Sequence, residues 1–399
     1  MTQIVKIGNI STQIRGVSYS KNDAISNMQE GYLPVLRANN IQEQGLILED
    51  FVYVPESKIS EKQRILAGDV LIAASSGSIS LVGKAASAKE DIDAGFGAFC
   101  KILRPNTELV DPRYFANYFQ TQKYRQIISN LAAGANINNL KNEHLDDLEI
   151  PLPPLSEQRR IASILDQADV LRQKRQQAIE KLDQLLQATF IDMFGDPVSN
   201  PKGFEVKKLS EQVDLIQIGP FGTQLHQEDY IENGIPLINP SHIKNGKIIP
   251  NHKLTVSQSK YEELTQYHLR LNDVLLGRRG EMGRCAVVTQ NEVGWLCGTG
   301  SLFLRPNLEK INPFFLELLL SSDSIKRYLE NVSQGQTMAN LNKTIVGTIP
   351  LISPSIEIQN KFFLIAEKID KMKTELKSAK NQVNNLFESL QNQAFNGTL

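Results

Sequence analysis

The chain contains the same pattern twice. Residues from about 31 to 190 are echoed, about 200 positions later, by residues from about 234 to 395. Leu33-Pro34-Val35-Leu36 returns as Ile235-Pro236-Leu237-Ile238, Gly68-Asp69-Val70-Leu71-Ile72 as Asn272-Asp273-Val274-Leu275-Leu276, and Leu103-Arg104-Pro105-Asn106 as Leu304-Arg305-Pro306-Asn307. Gly95-Phe96-Gly97 is matched with Gly298-Thr299-Gly300, Gly134, Asn139 and Leu140 with Gly335, Asn340 and Leu341, and Ile150-Pro151-Leu152 with Ile349-Pro350-Leu351. The order of blocks is kept, and the period far exceeds the 20 to 50 residues of solenoids, so this is a duplicated module. A chain with two similar halves suits a target that also has two halves; the alternative is duplication for stability alone.

At 399 residues the chain has room for two domains with separate cores. No apolar run approaches the length of a membrane span, and residues 1–13 lack the basic start and apolar core of a signal peptide, so a cytoplasmic location without membrane contact is expected. The three cysteines, Cys100, Cys285 and Cys297, are far apart and form no C-x-x-C pair; they read as core thiols. Net charge is −1. Residues 1–150 carry 15 basic and 17 acidic side chains, and residues 201–350 carry 16 and 15. If such a chain grips a phosphate backbone, a local basic face or a partner subunit must supply much of the attraction.

Residues 156–193 read as one helix, with Pro153 and Pro154 ahead of it, Ser156 as N-cap and Gly195-Asp196-Pro197 as stop. Its apolar seam is read as Ile161, Ile164, Ala168, Leu171, Ala178, Leu182 and Leu185, with Arg175 as an interruption that snorkels. In the second copy Phe362, Ile365, Ile369, Met372, Leu376, Ala379, Val383, Leu386 and Leu390 alternate by three and four, as in a coiled coil. Thirty residues make a rod of roughly 45 Å, while the link from Gly195 to about Lys207 spans at most about 40 Å extended. An antiparallel pair meets chain continuity with less strain. The expected architecture is therefore α+β: two similar domains, 1–150 and 196–350, separated by two long antiparallel coiled-coil helices, 151–195 and 351–399, as a pseudo-twofold dumbbell.

Within each module, Asp69-Val70-Leu71-Ile72-Ala73 and Asp273-Val274-Leu275-Leu276 read as strands, and Asp111-Pro112 and Asn312-Pro313 each start a helix that ends by Gly134 or Gly335. The modules differ most after the shared strand. Ala74-Ser75-Ser76-Gly77-Ser78 in the first stands where the second has Gly277-Arg278-Arg279-Gly280-Glu281. Arginine can make two hydrogen bonds to guanine, glutamate can accept from cytosine, and serine can bond to bases or phosphates; a solvated charged loop is the bland alternative. The amide-rich runs around Asn136, Asn138 and Lys141 and around Gln336, Asn340, Asn342 and Lys343 suit adenine, although Asn and Gly also simply make loops. Arg37, Asn39, Asn40 and Lys84 in the first module, and Asn239, Ser241, His242 and Arg284 in the second, complete the set of candidate DNA contacts.

No catalytic constellation stands out. Gly77 to Lys84 has five residues between its glycines where a phosphate loop has four, and Ala85 stands where Ser or Thr would bind magnesium. Asn312-Pro313-Phe314-Phe315 lacks the second proline of an adenine methyltransferase site, and none of the five histidines forms a close metal-ligand pair, so no metal or catalytic residue is assigned.

The string Pro151-Leu152-Pro153-Pro154-Leu155-Ser156-Glu157-Gln158-Arg159-Arg160-Ile161-Ala162, opening a long helix after a variable module, resembles the specificity subunit of type I DNA restriction-modification systems. Pro350-Leu351-Ile352-Ser353-Pro354 through Glu357 and Gln359 echoes it loosely, with an extra residue and no arginine pair. The resemblance extends over nearly the whole chain. It implies two target-recognition domains, each reading one half of a bipartite double-stranded DNA site, and helices that set the gap and dock partners. Those partners would be two methyltransferase subunits using S-adenosylmethionine and an ATP-driven motor-nuclease subunit requiring Mg. This chain would be non-catalytic and bind no cofactor itself. The competing readings are a coiled-coil scaffold that never touches DNA and a self-contained DNA-modifying enzyme.

Overall fold

A computed structural model describes residues 3–42, 45–76, 81–134, 139–333 and 341–399. The chain forms two compact units, and the first draws on both ends of the sequence. Residues 1–179 join 375–399 in the first, and residues 180–374 make the second.

In the first unit, strands Ser11–Arg15, Cys100–Pro105, Val70–Ala73 and Ala85–Ser87 lie side by side, antiparallel throughout. The second unit repeats this sheet with Val213–Ile218, Ser301–Pro306, Val274–Gly277 and Cys285–Val287. The registers agree: Val70 faces Leu103, and Val274 faces Leu304. The two repeated sequence blocks are thus cross-strand neighbours. Asp69, 1% exposed, accepts from Arg104 Nε and Nη2 at 2.7 Å each; Asp273, 0% exposed, accepts the same pair from Arg305 at 2.9 Å each. Each aspartate also caps the turn before its strand, accepting from Leu66 N or Arg270 N at 2.8 Å. The left-handed residue that turn requires is Gly68 (φ 87°) in one unit and Asn272 (φ 70°) in the other.

A smaller sheet in each unit contains a parallel pair, Tyr32–Leu36 with Gly95–Phe96 and Ile235–Ile238 with Leu296–Cys297. This pairing corrects one block of the repeat. Gly97 N donates to Leu36 O at 2.9 Å and Gly298 N to Ile238 O at 2.8 Å, so Gly97 corresponds to Gly298, and Gly95 corresponds to Leu296. Glycine content alone had pulled the match two residues out of register.

The helix at Asp111-Pro112 begins as read, with Asp111 Oδ1 accepting from Arg113 N and Tyr114 N at 3.0 and 3.2 Å, and Asn312 Oδ1 doing the same for Phe314 N and Phe315 N at 2.9 and 3.2 Å. It does not run on to the glycine. Pro112–Tyr118 and Gln122–Gly134 are separate helices, as are Pro313–Ser321 and Asp323–Ser333. The break is a hydroxyl that closes one helix and opens the next: Thr121 donates to Tyr118 O and accepts from Tyr124 N, and Ser322 does likewise with Leu319 O and Ile325 N.

The long helices span Leu155–Phe194 and Ile356–Asn396. The first starts one residue before Ser156, which is exposed and caps nothing; Pro154 O receives the first turn's N–H groups. Gly195 (φ 74°) ends it. Within each unit the two helices pack antiparallel. In the first, Arg160 donates to Leu399 O (2.6 Å), Arg172 lies 4.6 Å over the Phe387 ring, and Lys380 donates to Gln176 (2.7 Å). In the second, Lys373 pairs with Asp183, and Phe190 and Phe194 meet the Phe362 ring at 5.6 and 5.5 Å.

The seam needs correction on both helices. Ile161, Ile369 and Phe362 are buried, and Leu182, Leu376, Val383 and Leu390 are half-buried, but Leu171, Leu185, Ile365, Met372 and Leu386 are each 38–54% exposed. Along the second helix the inward column is Phe362, Ala366, Ile369, Lys373, Leu376, Lys380, Val383 and Phe387. Steps of four and three replace the assumed three and four, turning alternate positions about 100° away. On the first helix Leu165, Ile179 and Leu186 pack inward where Ile164, Ala178 and Leu185 were expected. Arg175 does interrupt the seam, and its Nε is buried without a hydrogen-bond partner among the described residues.

Candidate nucleic-acid interface

In the first unit four segments converge at one end of the smaller sheet. The turn 97–100 closes through Cys100 N to Gly97 O at 2.8 Å, hangs from Leu36 through Gly97 N, and receives Ala74 N and Ser75 N on Phe99 O at 2.9 and 3.0 Å. Leu140 N then donates to Ala74 O at 2.7 Å, and Ser75 bridges Asn139. The segments carrying Arg37, Ser75 and Lys141, far apart in sequence, become neighbours. A fifth segment, just after strand Ser11–Arg15, crosses so closely that a Cβ on Gly16 would lie 2.1 Å from Gly97 O.

The second unit builds the same junction. Gly298 N reaches Ile238 O, Arg278 N reaches Gly300 O at 2.9 Å, Leu341 N reaches Arg278 O at 3.1 Å, and a Cβ on Gly219 would meet Gly298 O at 2.0 Å. The backbone frame is shared; the side chains on it are not.

Several candidate contacts are used by the fold itself. Asn40 is 1% exposed and donates to Ile47 O and Glu49 O at 2.8 and 2.7 Å. Asn239 Oδ1 accepts from Gly300 N at 3.2 Å. His242 is 5% exposed, its Nδ1 accepts from Asn239 N, and burial holds its pKa below the usual imidazole value, so it offers no positive charge at neutral pH. Arg278 is 8% exposed and its Nε donates to Leu341 O at 2.8 Å, which locks the 278 loop to the 341 loop. Asn40 and His242 are corrected from base readers to frame residues, because groups bonded and enclosed in the fold cannot reach a duplex, while half-buried Asn239 commits its Oδ1 and Arg278 its Nε to the frame. Asn342 Oδ1 caps a short helix through Ile345 N at 2.9 Å.

Others remain on the surface in local pairs. Arg37 and Asn39 both bind Asp50, Glu281 binds Arg284 at 2.6 Å, and Lys141 lies 3.3 Å from Glu143. The Arg284 guanidinium holds the Glu281 carboxyl below its ordinary pKa. Arg279, Ser241 and Lys343 are exposed, Ser75, Ser76 and Lys84 half-buried. Arg279 is exposed and has no hydrogen-bond or ion-pair partner among the described residues, which leaves its guanidinium available for guanine or phosphate. Ser78, Asn136, Asn138, Gln336 and Asn340 lie outside the described residues or side chains.

Sequence reasoning missed what the helix-opening string does. Gln158, 1% exposed, accepts from Asp111 N at 2.8 Å and donates to Pro153 O and Leu109 O; Gln359, also 1% exposed, accepts from Asn312 N at 2.8 Å and donates to Pro354 O and Lys310 O. Each glutamine bolts the start of a long helix to the loop ahead of the Asp-Pro or Asn-Pro helix. The shared glutamine, and not the arginine pair, was the available clue.

A family model described as the type I restriction modification DNA specificity domain matches residues 2–181 and 201–385. The chain belongs to that family and carries its domain twice. It is 30% identical over 415 residues to the type I restriction enzyme EcoKI specificity subunit of Escherichia coli K12, covering 99% of this chain and 89% of the relative. The StySPI specificity subunit of Salmonella potsdam is likewise 30% identical over 414 residues, covering 98% and 88%. The S subunit of a type I system from M. genitalium shares the fold at TM-score 0.59 with 17% identity, covering 99% and 96% of the two chains. A chain from a structural study of assembly and conformational transition in a type I R-M system does so at 0.60 with 19% identity, covering 100% and 98%. No described helix is long and apolar enough to cross a membrane.

Proposed function

We propose that each unit presents its loop junction to one half of a bipartite double-stranded DNA sequence, and that the paired helices fix the unread gap between the halves. The observation that carries this reading is the junction itself, built twice on four corresponding backbone bonds yet bearing serines in one unit and Arg279, Glu281 and Arg284 in the other. A frame held constant under changing polar side chains is what sequence discrimination by base edges needs.

The chemistry belongs to partners in this reading. Two methyltransferase subunits, using S-adenosylmethionine, methylate adenine in the halves, and a motor-nuclease subunit using ATP and Mg cleaves DNA; this chain contributes no catalytic residue and binds no cofactor. The outward apolar residues Leu171, Leu185, Ile365, Met372 and Leu386 suit the docking of those subunits on the helices. Neutral overall charge fits the same division, with partners supplying phosphate contacts. The test is exchange of residues 201–350 for the second module of another family member. One half of the methylated sequence should change and the other stay; a change in both halves would refute independent reading.

A further inference from the structure

Of sixteen phenylalanines, all but two are buried or half-buried. The two exceptions are Phe99, 70% exposed, and Phe221, 64% exposed, one in each unit. Phe99 stands in the loop junction and Phe221 lies two residues along the chain from it, so the two approach it by different routes. Phe99 is in the turn 97–100, its carbonyl fixed by Ala74 N and Ser75 N. Its positional counterpart in the second unit, given the correspondence of Gly97 with Gly298, is Gly300. There the aromatic ring comes instead from the segment that follows strand Val213–Ile218, two residues after Gly219, whose N–H donates to Ser301 O at 3.0 Å and on which a Cβ would meet Gly298 O. The loop after it is anchored by Tyr267 Oη to Gln224 Oε1 at 2.7 Å.

Inherited position does not explain this, because the two residues do not align. Packing does not explain it either, since both rings are left largely in water while fourteen others are covered. A single exposed apolar residue is ordinary. One exposed ring per unit, placed independently in the junction or two residues along the chain from it and flanked by anchored backbone, points to a shared role there. The neighbours are hydroxyls, amides and arginines, which suit the major groove, and the one apolar feature the major groove offers is the C5-methyl group of thymine.

We propose that Phe99 and Phe221 each press against a thymine methyl group, one in each half of the DNA site, and so act as specificity-determining residues alongside the polar loops. This rests on the DNA-reading function proposed above and adds to it a defined base in each half-site.

The test uses the full chain assembled with its methyltransferase subunits and duplexes carrying the complete two-part site, in which single thymines are replaced by uracil. Uracil keeps base pairing and removes only the methyl group. The unaltered complex should lose about fourfold in affinity at one thymine in each half, the worth of one buried methyl group. Phe99→Ala should lose about as much on unmodified DNA, become indifferent to uracil in its own half, and keep its response in the other half; Phe221→Ala should show the reverse, and Phe99→Leu should retain part of the methyl response. The proposal is overturned if the alanine variants bind as tightly as the parent, if they weaken yet keep both uracil responses, or if they fail to take up methyltransferase subunits, which would make the rings protein contacts. Thermal unfolding of each variant separates these outcomes from misfolding, which exposed positions should not cause. A parent complex that does not distinguish its two-part site from a scrambled duplex would instead sink the underlying reading.

Discussion

At position 317 the second unit buries a carboxyl group where the first, by the correspondence of Asn312 with Asp111, has Ala116. Glu317 is 7% exposed, Cys285 Sγ donates to its backbone carbonyl at 3.3 Å, and burial lifts its pKa from 4.5 to about 7. The folded state therefore holds a proton that the unfolded state has released between about pH 4.5 and 7. Stability falls as pH rises through that window, and the penalty is complete above it. Glu317→Gln should stabilise the second unit at pH 8 by roughly 2–3 kcal/mol and by little at pH 4.5, as read by urea denaturation at the two pH values. At this scale the sequence was legible where a residue type has one use. The three cysteines are buried as read, and burial raises the Cys100 thiol to about 12. It was not legible for amides and arginines, because the same groups serve a frame or a ligand. Arg278 differs from Arg279 only in what the fold places around it.

The repeated elements make the same distinction. The sequence blocks that recur, Asp-Val-Leu with Leu-Arg-Pro, proved to be an ion pair and a turn cap that build the larger sheet, and the recurring glutamine proved to be a bolt. Gln158→Ala and Gln359→Ala should each destabilise by about 1–3 kcal/mol by stranding a buried backbone N–H, whereas Arg159→Ala, at a surface position, should stay within about 0.5 kcal/mol. Denaturant titration measures both. The existence and direction of the long helices followed from period and linker length, but their rotation did not. Apolar residues at both i+3 and i+4 leave two columns open, and only the inward placement of Ala366 and Lys373 shows which was used. Ile369→Ala should consequently cost about 2–4 kcal/mol and Met372→Ala less than about 0.5 kcal/mol in the free chain. If Met372→Glu left the chain stable yet lowered its uptake of methyltransferase subunits, the outward face would be their docking surface.

For the molecule as a whole, the expectation of two recognition modules on two long helices came from duplication, and membership of the type I specificity family is established by similarity over almost the entire chain. Inserting four residues into both long helices, about 6 Å of added rise, should lengthen the unread gap and leave both halves of the site unchanged. An active complex with an unaltered gap would remove the ruler role. The target bases were not legible, since the polar set is interchangeable in kind and no fixed code ties it to base pairs. The central claim is tested most directly by mapping methylated adenines across the genome of a host carrying this chain with its methyltransferase subunits. A two-part motif with a fixed gap, lost when this chain is deleted, is the expected result; a single uninterrupted motif, or methylation indifferent to the deletion, would contradict it.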